Sequence, residues 1–273
     1  MNLVDECRRI VLIQVGCGGT GSWLVPLASK LLNNIKRRLP IEVNVTYLII
    51  DDDIVEERNI LRQNFSDWDI GKGKAIALVS KYCYNFENMR AISYRLKTKI
   101  DFEKLVFASD PNFPQQDAYD RRQETLMIIL GCVDNNASRH LIDRVTKGFN
   151  KKHLTPVIYI DSGNLLYNGQ IVTQSYGFNE FLIDRLSNHN QDDSMALFKQ
   201  VKNRKKINFK KMFPLEEETE VQQSCAFFGD QSQAVNSMAA NLLFCNLQKI
   251  LVNSEIPPTI TTFNSSGYST FEV

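Results

Sequence analysis

A glycine-rich segment near the N-terminus, Gly16-Cys-Gly-Gly-Thr-Gly21, constrains the fold of this chain more than any other feature. It follows residues 11–15, which have strand character, and a helical pattern runs from Ser22 to about residue 39. Such a loop binds phosphate because its glycines permit a tight turn, leave room for a pyrophosphate and let helix and strand pack closely. The N-terminus of the helix adds free N–H groups and a positive dipole end. The segment predicts a nucleotide site without selecting the nucleotide.

The composition is that of a globular enzyme and argues against two classes of partner. The chain has 273 residues, 43% of them hydrophobic, and a net charge of +1, so nothing global favours nucleic acid or a membrane. No apolar run approaches the roughly 20 residues that a membrane-spanning helix needs. The N-terminus does not resemble a signal peptide, and we therefore expect a cytoplasmic protein.

The cysteines and histidines show no metal-ligand spacing. None of the cysteines forms a Cys-x-x-Cys pair, so the sequence predicts neither a zinc site nor a disulfide framework. We expect most of these residues to be structural: Cys7, Cys17, Cys83, Cys132, Cys225, Cys245, His140, His153 and His189.

The order of the predicted elements indicates an α/β fold. Strands and helices alternate up to about residue 156, and strands then follow one another around a hairpin turn at Asn168-Gly169. This predicts one Rossmann-like mixed sheet, parallel in the N-terminal half and antiparallel in the C-terminal half, with helices on both faces. We expect a single domain over residues 1–273. Its expected parts are a nucleotide-binding part (1–175), a mobile crossover insertion (176–223) and a C-terminal helix and hairpin (224–273).

The insertion carries a basic stretch at 202–206 and an acidic stretch at 216–220. Such a segment is typical of a mobile surface excursion whose charges partly neutralise each other. The alternative is a cover that orders when the tail of a partner enters.

Three aspartates follow the second predicted strand, 42–50, at the sheet edge where open parallel sheets bind ligands. Asp51 is the candidate for the ribose hydroxyls, whereas Asp52 fits a solvated acidic turn better. The gap from Gly16 to Asp51 exceeds the ~20 residues usual in dinucleotide-binding proteins. Either the intervening loop is extended or the protein is not a nicotinamide enzyme.

Two cations and two amides lie just beyond the ribose acid: Asn59, Arg62, Gln63 and Lys74. A nicotinamide cofactor has two bridged phosphates, which the glycine loop already serves. Further cations indicate a triphosphate whose departing pyrophosphate must be stabilised. Two neighbouring cations are expected to be solvated: Arg58 and Lys72.

Asp134 follows a strongly apolar strand, 125–130, and faces the glycine loop in a parallel sheet. A carboxylate in this place suits magnesium bound to phosphate oxygens. On spacing alone, Asp134 fits the N-cap of the following helix equally well.

With these residues laid out, the sequence resembles the ThiF/MoeB/HesA family, adenylyltransferases related to the ubiquitin-activating enzymes. The resemblance covers most of the chain and is carried by ordered motifs: Gly16-Cys-Gly-Gly-Thr-Gly21, Asp51-x-Asp53, Asn59-x-x-Arg62-Gln63, Ile70-Gly-x-x-Lys74, Cys132-x-Asp134-Asn135-x-x-x-Arg139 and Gly169-Gln-Ile171.

The resemblance implies that a carboxylate, usually the C-terminal glycine of a ubiquitin-like protein, attacks ATP to give an acyl adenylate and pyrophosphate. Arg62 and Lys74 would stabilise charge during the attack, and Asp134 would position Mg²⁺. The nucleotide contacts it implies are Gly16, Gly18, Gly19, Gly21, Asp51, Asp53, Asn59, Arg62, Gln63, Lys74 and Asn135. It also implies a homodimer and a ubiquitin-like or peptide partner with a free C-terminus.

The sequence departs from the family pattern in three respects. The N-terminal helix with an Arg-Gln pair is missing, and Arg8 or Arg9 would have to replace its arginine. The paired Cys-x-x-Cys zinc motifs and a following rhodanese-like domain are also missing. This short, zinc-free form resembles the ThiF-type proteins of bacterial plasmid PRTRC systems.

Three alternatives stay open. Cys225 occupies a place where some family members carry an acyl-accepting cysteine, but it fits a buried structural cysteine better. The protein could bind a nucleotide without catalysis, as a regulatory or assembly subunit. An NAD-dependent oxidoreductase would rest on the glycine loop alone.

Overall fold

Apolar, β-branched segments supply the strands of a mixed sheet, and the helices between them cover both of its faces. The computed structural model describes residues 7–109, 125–153, 155–165, 167–177, 207–214, 232–264 and 267–271. The strands are β1 (Arg9–Val15), β2 (Asn44–Ile50), β3 (Met89–Ile92), β4 (Thr125–Gly131), β5 (Val157–Asn164), β6 (Asn168–Tyr176), β7 (Ile260–Asn264) and β8 (Gly267–Phe271). The helices are α1 (Gly19–Arg38), α2 (Glu57–Ile60), α3 (Lys74–Tyr82), α4 (Lys99–Ser109), α5 (Asn136–His153), α6 (Phe209–Met212) and α7 (Gln233–Asn253).

Within the described residues, the strands form one eight-stranded sheet in the order β3-β2-β1-β4-β5-β6-β7-β8. The pairs from β3 to β5 are parallel. The pairs from β5 to β8 are antiparallel. The predicted mixed sheet, parallel first and antiparallel later, is therefore confirmed.

Side chains that alternate along the central strands divide the core between the two faces of the sheet. On one face, Ile10 and Leu12 of β1 pack in a cluster that also contains apolar residues of α1, α3 and α7. On the other, Val11 and Ile13 pack in a cluster with apolar residues of α4, α5 and α6. No helix in the described ranges is both long and apolar enough to cross a membrane.

The structure describes only residues 176–177 and 207–214 of the predicted insertion, and Tyr176 is the last residue of β6. Phe209 is buried and its ring stacks on that of Tyr159 with the centroids 5.4 Å apart. This part of the insertion therefore belongs to the second core. Cys225 and the charged stretches at 202–206 and 216–220 lie outside the described residues.

The hairpin turn predicted at Asn168-Gly169 is wrong. Both residues belong to β6, where Gly169 pairs with Asn164, and the chain turns between Asn164 and Asn168. A Cβ on Gly169 would lie 2.4 Å from Cζ of Phe263 in β7. The glycine is therefore needed for the close approach of the Phe263 ring rather than for a turn.

Pro26 lies in the interior of α1 because the helix begins at Gly19, three residues before the predicted start. A proline cannot donate the helical hydrogen bond to the carbonyl four residues earlier, which here belongs to Ser22. The Nδ2 of Asn64 donates to that carbonyl instead, at 3.2 Å. A side chain from a distant segment thus replaces the missing donor.

We expect Asn64→Ala to lower the free energy of unfolding by about 1–3 kcal/mol, because the buried Ser22 carbonyl loses its donor. In a Pro26→Ala background the N–H of residue 26 can supply the helical bond, so the same substitution should cost less. Urea denaturation of the four proteins measures the difference. Tyr82→Phe is the control, since Asn64 also donates to the Tyr82 hydroxyl. Equal losses in both backgrounds would contradict this account.

Candidate functional site

Three strand ends meet at one edge of the sheet and bring the predicted site segments together. β1 lies between β2 and β4, and Val15 is in register with Ile50 on one side and Gly131 on the other. The Gly16 N–H donates to the Ile50 carbonyl at 2.9 Å, and the Cys132 N–H donates to the Val15 carbonyl at 2.8 Å. The glycine loop, the aspartates after β2 and the loop after β4 are therefore neighbours.

The glycines of the loop have different surroundings. Gly16 has a φ of +100°, and a Cβ on it would lie 2.3 Å from the Cys132 carbonyl oxygen. A Cβ on Gly21 would lie 2.1 Å from the Gly16 carbonyl oxygen. A Cβ on Gly18 would meet only Gln63 Nε2, at 4.0 Å, while Gly19 is the first residue of α1. Gly16 and Gly21 are thus required by the backbone, and Gly18 keeps space open in front of it.

Gln14, which the sequence analysis missed, fixes the shape of the loop from below. Its Nε2 donates to the carbonyls of Gly16 at 2.9 Å and Gly21 at 3.1 Å. Its Oε1 accepts from the Tyr47 hydroxyl at 2.6 Å. The signal in the sequence was a glutamine among the apolar residues 10–15 of the strand, and the structure shows it fully buried.

Asp51 is bound to the glycine loop and is half-buried. One carboxylate oxygen accepts from the Cys17 N–H at 2.5 Å and the other from the Asp53 N–H at 2.8 Å. Burial raises the pKa of Asp51 above its ordinary value, and these two bonds and Lys74 act in the opposite direction. Each oxygen keeps accepting capacity, which suits the hydroxyls of a ribose.

Asp53 forms an ion pair with Lys74, whose side chain is only 9% exposed; the Nζ–Oδ2 distance is 2.9 Å. The Lys74 N–H also donates to the Asp53 carbonyl at 2.8 Å. Arg95, which the sequence analysis did not single out, lies 3.1 Å from Asp52 and 3.6 Å from Asp53. Asp53 therefore binds the Lys74 ammonium group, and Asp52 lies at the surface, as predicted.

The segment from Asn59 to Gln63 lies beside the glycine loop. Asn59 is buried and its Oδ1 accepts from the Glu56 N–H at 2.9 Å, which completes the capping box of the short helix α2, whose N-cap is Glu56. The Arg62 carbonyl accepts from Trp23 Nε1 at 3.2 Å and from Asn236 Nδ2 at 3.4 Å. Within the described chain, the Arg62 guanidinium forms no hydrogen bond or ion pair. Gln63 is 5% exposed, and its Oε1 has no hydrogen-bond partner among the residues that the structure describes.

Asn135, not Asp134, caps helix α5. Its Oδ1 accepts from the Ser138 N–H at 2.8 Å, and its carbonyl accepts from the Arg139 N–H at 3.3 Å. The N-cap alternative for Asp134 is therefore wrong. The Asp134 carboxylate is exposed and accepts from Asn135 Nδ2 at 3.1 Å. Its second oxygen has no partner in the part of the chain that the structure describes.

Arg139 holds the loop that carries Asp134. Its guanidinium donates to the Val133 carbonyl at 2.7 Å and pairs with Asp161, with 3.0 Å between Nε and Oδ2. Asp161 is fully buried and also accepts from the Tyr159 hydroxyl at 2.8 Å. Burial raises the pKa of Asp161, while Arg139 and Tyr159 act against that rise. This buried network makes the loop after β4 rigid.

The cysteines at the site are not activated as nucleophiles. Burial raises the pKa of both Cys17 and Cys132 well above the ordinary value of a thiol. His140 contacts the Phe213 carbonyl through Nε2 at 2.6 Å, which agrees with a structural role.

Comparison with known proteins identifies one matching family and several solved structures with a similar fold. The model of the ThiF family matches residues 5–272. No curated protein matches the sequence. Similar solved chains are PaaA (16% identity, TM-score 0.54), E. coli MccB with ATP (16%, 0.55) and the microcin C7 biosynthetic enzyme MccB with N-formylated MccA (16%, 0.55). Each covers 98% of this chain, which spans 64%, 65% and 66% of their respective lengths. At this identity the likeness shows the fold alone.

Alanine substitutions should separate the glycines required by the backbone from the one that faces open space. We expect Gly16→Ala and Gly21→Ala each to lower the free energy of unfolding by about 1–3 kcal/mol, through left-handed strain or overlap with a carbonyl. Gly18→Ala, the matched control, should cost less than either, about 0.5–1 kcal/mol, because Gly18 is the N-cap of α1 and alanine is a poorer N-cap than glycine. Urea denaturation without nucleotide measures all three. A comparable loss in Gly18→Ala would show that Gly18, too, is required by the fold.

Proposed function

Because this chain belongs to the ThiF family, we propose that it is an ATP-dependent adenylyltransferase that activates the C-terminal carboxylate of a ubiquitin-like protein or peptide. The observation that carries the proposal is the unused hydrogen-bonding capacity beside the glycine loop. The Arg62 guanidinium, without a partner among the described residues, suits a phosphate. The buried, unpartnered Oε1 of Gln63 suits a hydroxyl or amino group of the nucleotide. E. coli MccB, which shares the fold, has been solved with ATP.

In this proposal the phosphates of ATP lie against the glycine loop and the N-terminus of α1, where free N–H groups favour anions. Gly18 lets the phosphates approach the backbone, and Asp51 accepts hydrogen bonds from the ribose. Lys74 has three donors, so it can keep Asp53 and add a phosphate oxygen. Asn59 and Asn135 act chiefly through the helices they cap, which hold Arg62 and Asp134 in place.

The resemblance also implies Mg²⁺, and the residues present fit it. Asp134 is exposed, lies at the carboxyl end of β4 and has one oxygen without a partner in the described ranges. A carboxylate of this kind is a preferred ligand for Mg²⁺. Bound there, the ion would neutralise charge on the phosphate oxygens.

In the reaction, an oxygen of the substrate carboxylate attacks the α-phosphorus of ATP. A new P–O bond forms, and the bond to the bridging oxygen breaks, so that pyrophosphate leaves with the electron pair. The raised thiol pKa values fit this chemistry, because the substrate carboxylate is itself the nucleophile and no cysteine has to be ionised. The protein contributes positioning and charge stabilisation through Arg62 and Lys74.

Two classes of substrate fit the proposal. MccB has been solved with the peptide MccA, which supports a peptide C-terminus. The family resemblance implies the C-terminal tail of a ubiquitin-like protein. A homodimer and a cytoplasmic location stay predictions from the sequence.

A second candidate is nucleotide binding without catalysis, in a regulatory or assembly subunit. The observation that favours it is the ion pair between the nearly buried Lys74 and Asp53, which already neutralises one of the two cations that catalysis requires. ATP binding without turnover, with every candidate C-terminus present, would support this function.

Exchange of radiolabelled pyrophosphate into ATP tests the proposed reaction, with candidate ubiquitin-like proteins and peptides as substrates. We expect Arg62→Ala and Asp134→Ala each to reduce the exchange rate by about 100-fold, since the first removes a cation at the reacting phosphates and the second removes the carboxylate that would hold Mg²⁺ there. Lys74→Ala should also reduce it.

The chain offers a matched control for each cation. Arg58→Ala removes an exposed arginine that pairs with Glu56, and Lys72→Ala removes an exposed lysine. Both should exchange pyrophosphate at the wild-type rate. Exchange that survives Arg62→Ala undiminished would refute the role of Arg62, and ATP binding without any exchange would favour the non-catalytic candidate.

A further inference from the structure

The backbone around Arg62 is attached to helix α1 at two neighbouring residues. Trp23 Nε1 donates to the Arg62 carbonyl at 3.2 Å. Two residues further on, the Asn64 N–H donates to Ser22 Oγ at 2.9 Å, and its Nδ2 donates to the Ser22 carbonyl. The segment that carries Arg62 and Gln63 therefore cannot shift without breaking bonds to the helix that follows the glycine loop.

A second element reaches the same carbonyl from the far end of the chain. Asn236, in the first turn of α7, is fully buried, and its Nδ2 donates to the Arg62 carbonyl at 3.4 Å. Its Oδ1 accepts from Asn164 Nδ2, and Asn164 Oδ1 in turn accepts from Thr20 Oγ1 at 3.2 Å. The amide of Asn236 is thus satisfied on both sides by a chain of polar groups that runs from α1 through β5 to α7.

A buried amide in an apolar helix is costly unless its hydrogen bonds are made. Here the two donors, Trp23 and Asn236, use both lone pairs of the Arg62 carbonyl, so this peptide group is held from two directions. The Arg62 guanidinium, by contrast, has no partner among the described residues. Recognition of a phosphate at a set distance requires this combination of a fixed backbone and a cation that is available to bind the phosphate.

We infer that Trp23 and Asn236 are positioning residues for Arg62: they hold its backbone so that its guanidinium reaches the phosphates of ATP. The inference rests on the proposed function, in which Arg62 binds phosphate. Neither residue touches the nucleotide in this account; each acts through Arg62.

Binding of ATP and of adenosine, measured by calorimetry, tests the inference with Trp23→Phe and Asn236→Ala. Trp23→Phe keeps an aromatic ring packed against the core and removes the indole N–H together with its five-membered ring. Two matched controls exist: Trp68→Phe changes an 87% exposed tryptophan, and Asn246→Ala removes a buried amide of α7 whose Nδ2 has no partner in the described ranges. Thermal unfolding without ligand identifies any variant that fails to fold, in which case Trp23→Phe carries the test alone.

We expect each positioning variant to bind ATP about tenfold more weakly and adenosine as the wild type does, because only the phosphates meet Arg62, whereas Gln63 keeps its own bond from its N–H to the Asn59 carbonyl at 2.8 Å. In an Arg62→Ala background the same substitutions should have no further effect on ATP affinity. The controls should bind both ligands normally.

Three results would overturn the inference: unchanged ATP affinity in both variants, equal weakening of ATP and adenosine, or losses that add to that of Arg62→Ala. These outcomes are distinct from failure of the proposed function. If wild-type protein bound no ATP, the proposed function and this inference would fall together; if it bound ATP and the variants did too, only the inference would fall.

Discussion

The site depends on a backbone contact that leaves no room for a side chain, the approach of Gly16 to the carbonyl of Cys132. This contact brings the end of β1 against the end of β4, while the bond from the Gly16 N–H to the Ile50 carbonyl brings it against β2. Because the Cys17 N–H then meets Asp51, the ribose acid helps to shape the loop that would hold the phosphates. One steric constraint thus arranges three separate segments of the sequence.

Around this contact, the polar side chains fall into two groups with different tasks. One group of side chains makes hydrogen bonds to backbone groups of the protein and so holds its loops in place: Gln14, Asn59, Asn135 and Arg139. A second group keeps capacity unused in the described part of the chain: the Arg62 guanidinium, Gln63 Oε1 and one oxygen of Asp134. The first group makes the positions of the second precise, so that binding an anion requires little reorganisation.

The sequence was sufficient for the fold class, the family and the sheet edge where the site lies. Apolar patterns can be recognised from neighbouring residues alone, and the carboxyl ends of parallel strands always share an edge of the sheet. The placement of Asp51 and Asp134 beside the glycine loop could therefore be predicted. The exact positions of residues within turns could not be predicted, because the sequence pattern does not distinguish a capping residue from its neighbour. Asn135 caps α5 where Asp134 was a candidate, and Gly169 lies in β6 rather than in a turn.

Residues whose role depends on a distant partner could not be found in this way. Trp23 and Asn236 look like ordinary helical residues until the Arg62 carbonyl is seen between them, and Asn236 lies 174 positions from Arg62 along the chain. Nothing near Asp161 in the sequence indicates that it is the buried counter-ion of Arg139. Only Gln14 gave a local signal, as a polar residue inside an apolar strand.

The central position of β1 has a consequence for the order in which the molecule is made. This strand precedes its neighbour β4, which begins at Thr125, by more than 100 residues along the chain, and α7, whose Asn236 bonds to the Arg62 carbonyl, begins only at Gln233. Contacts of such high sequence separation form late, because the entropy of closing long loops must be offset first. An incomplete nascent chain therefore has the glycine loop in its sequence without the groups that shape it. The candidate site is therefore complete only when α7 has docked beside α1.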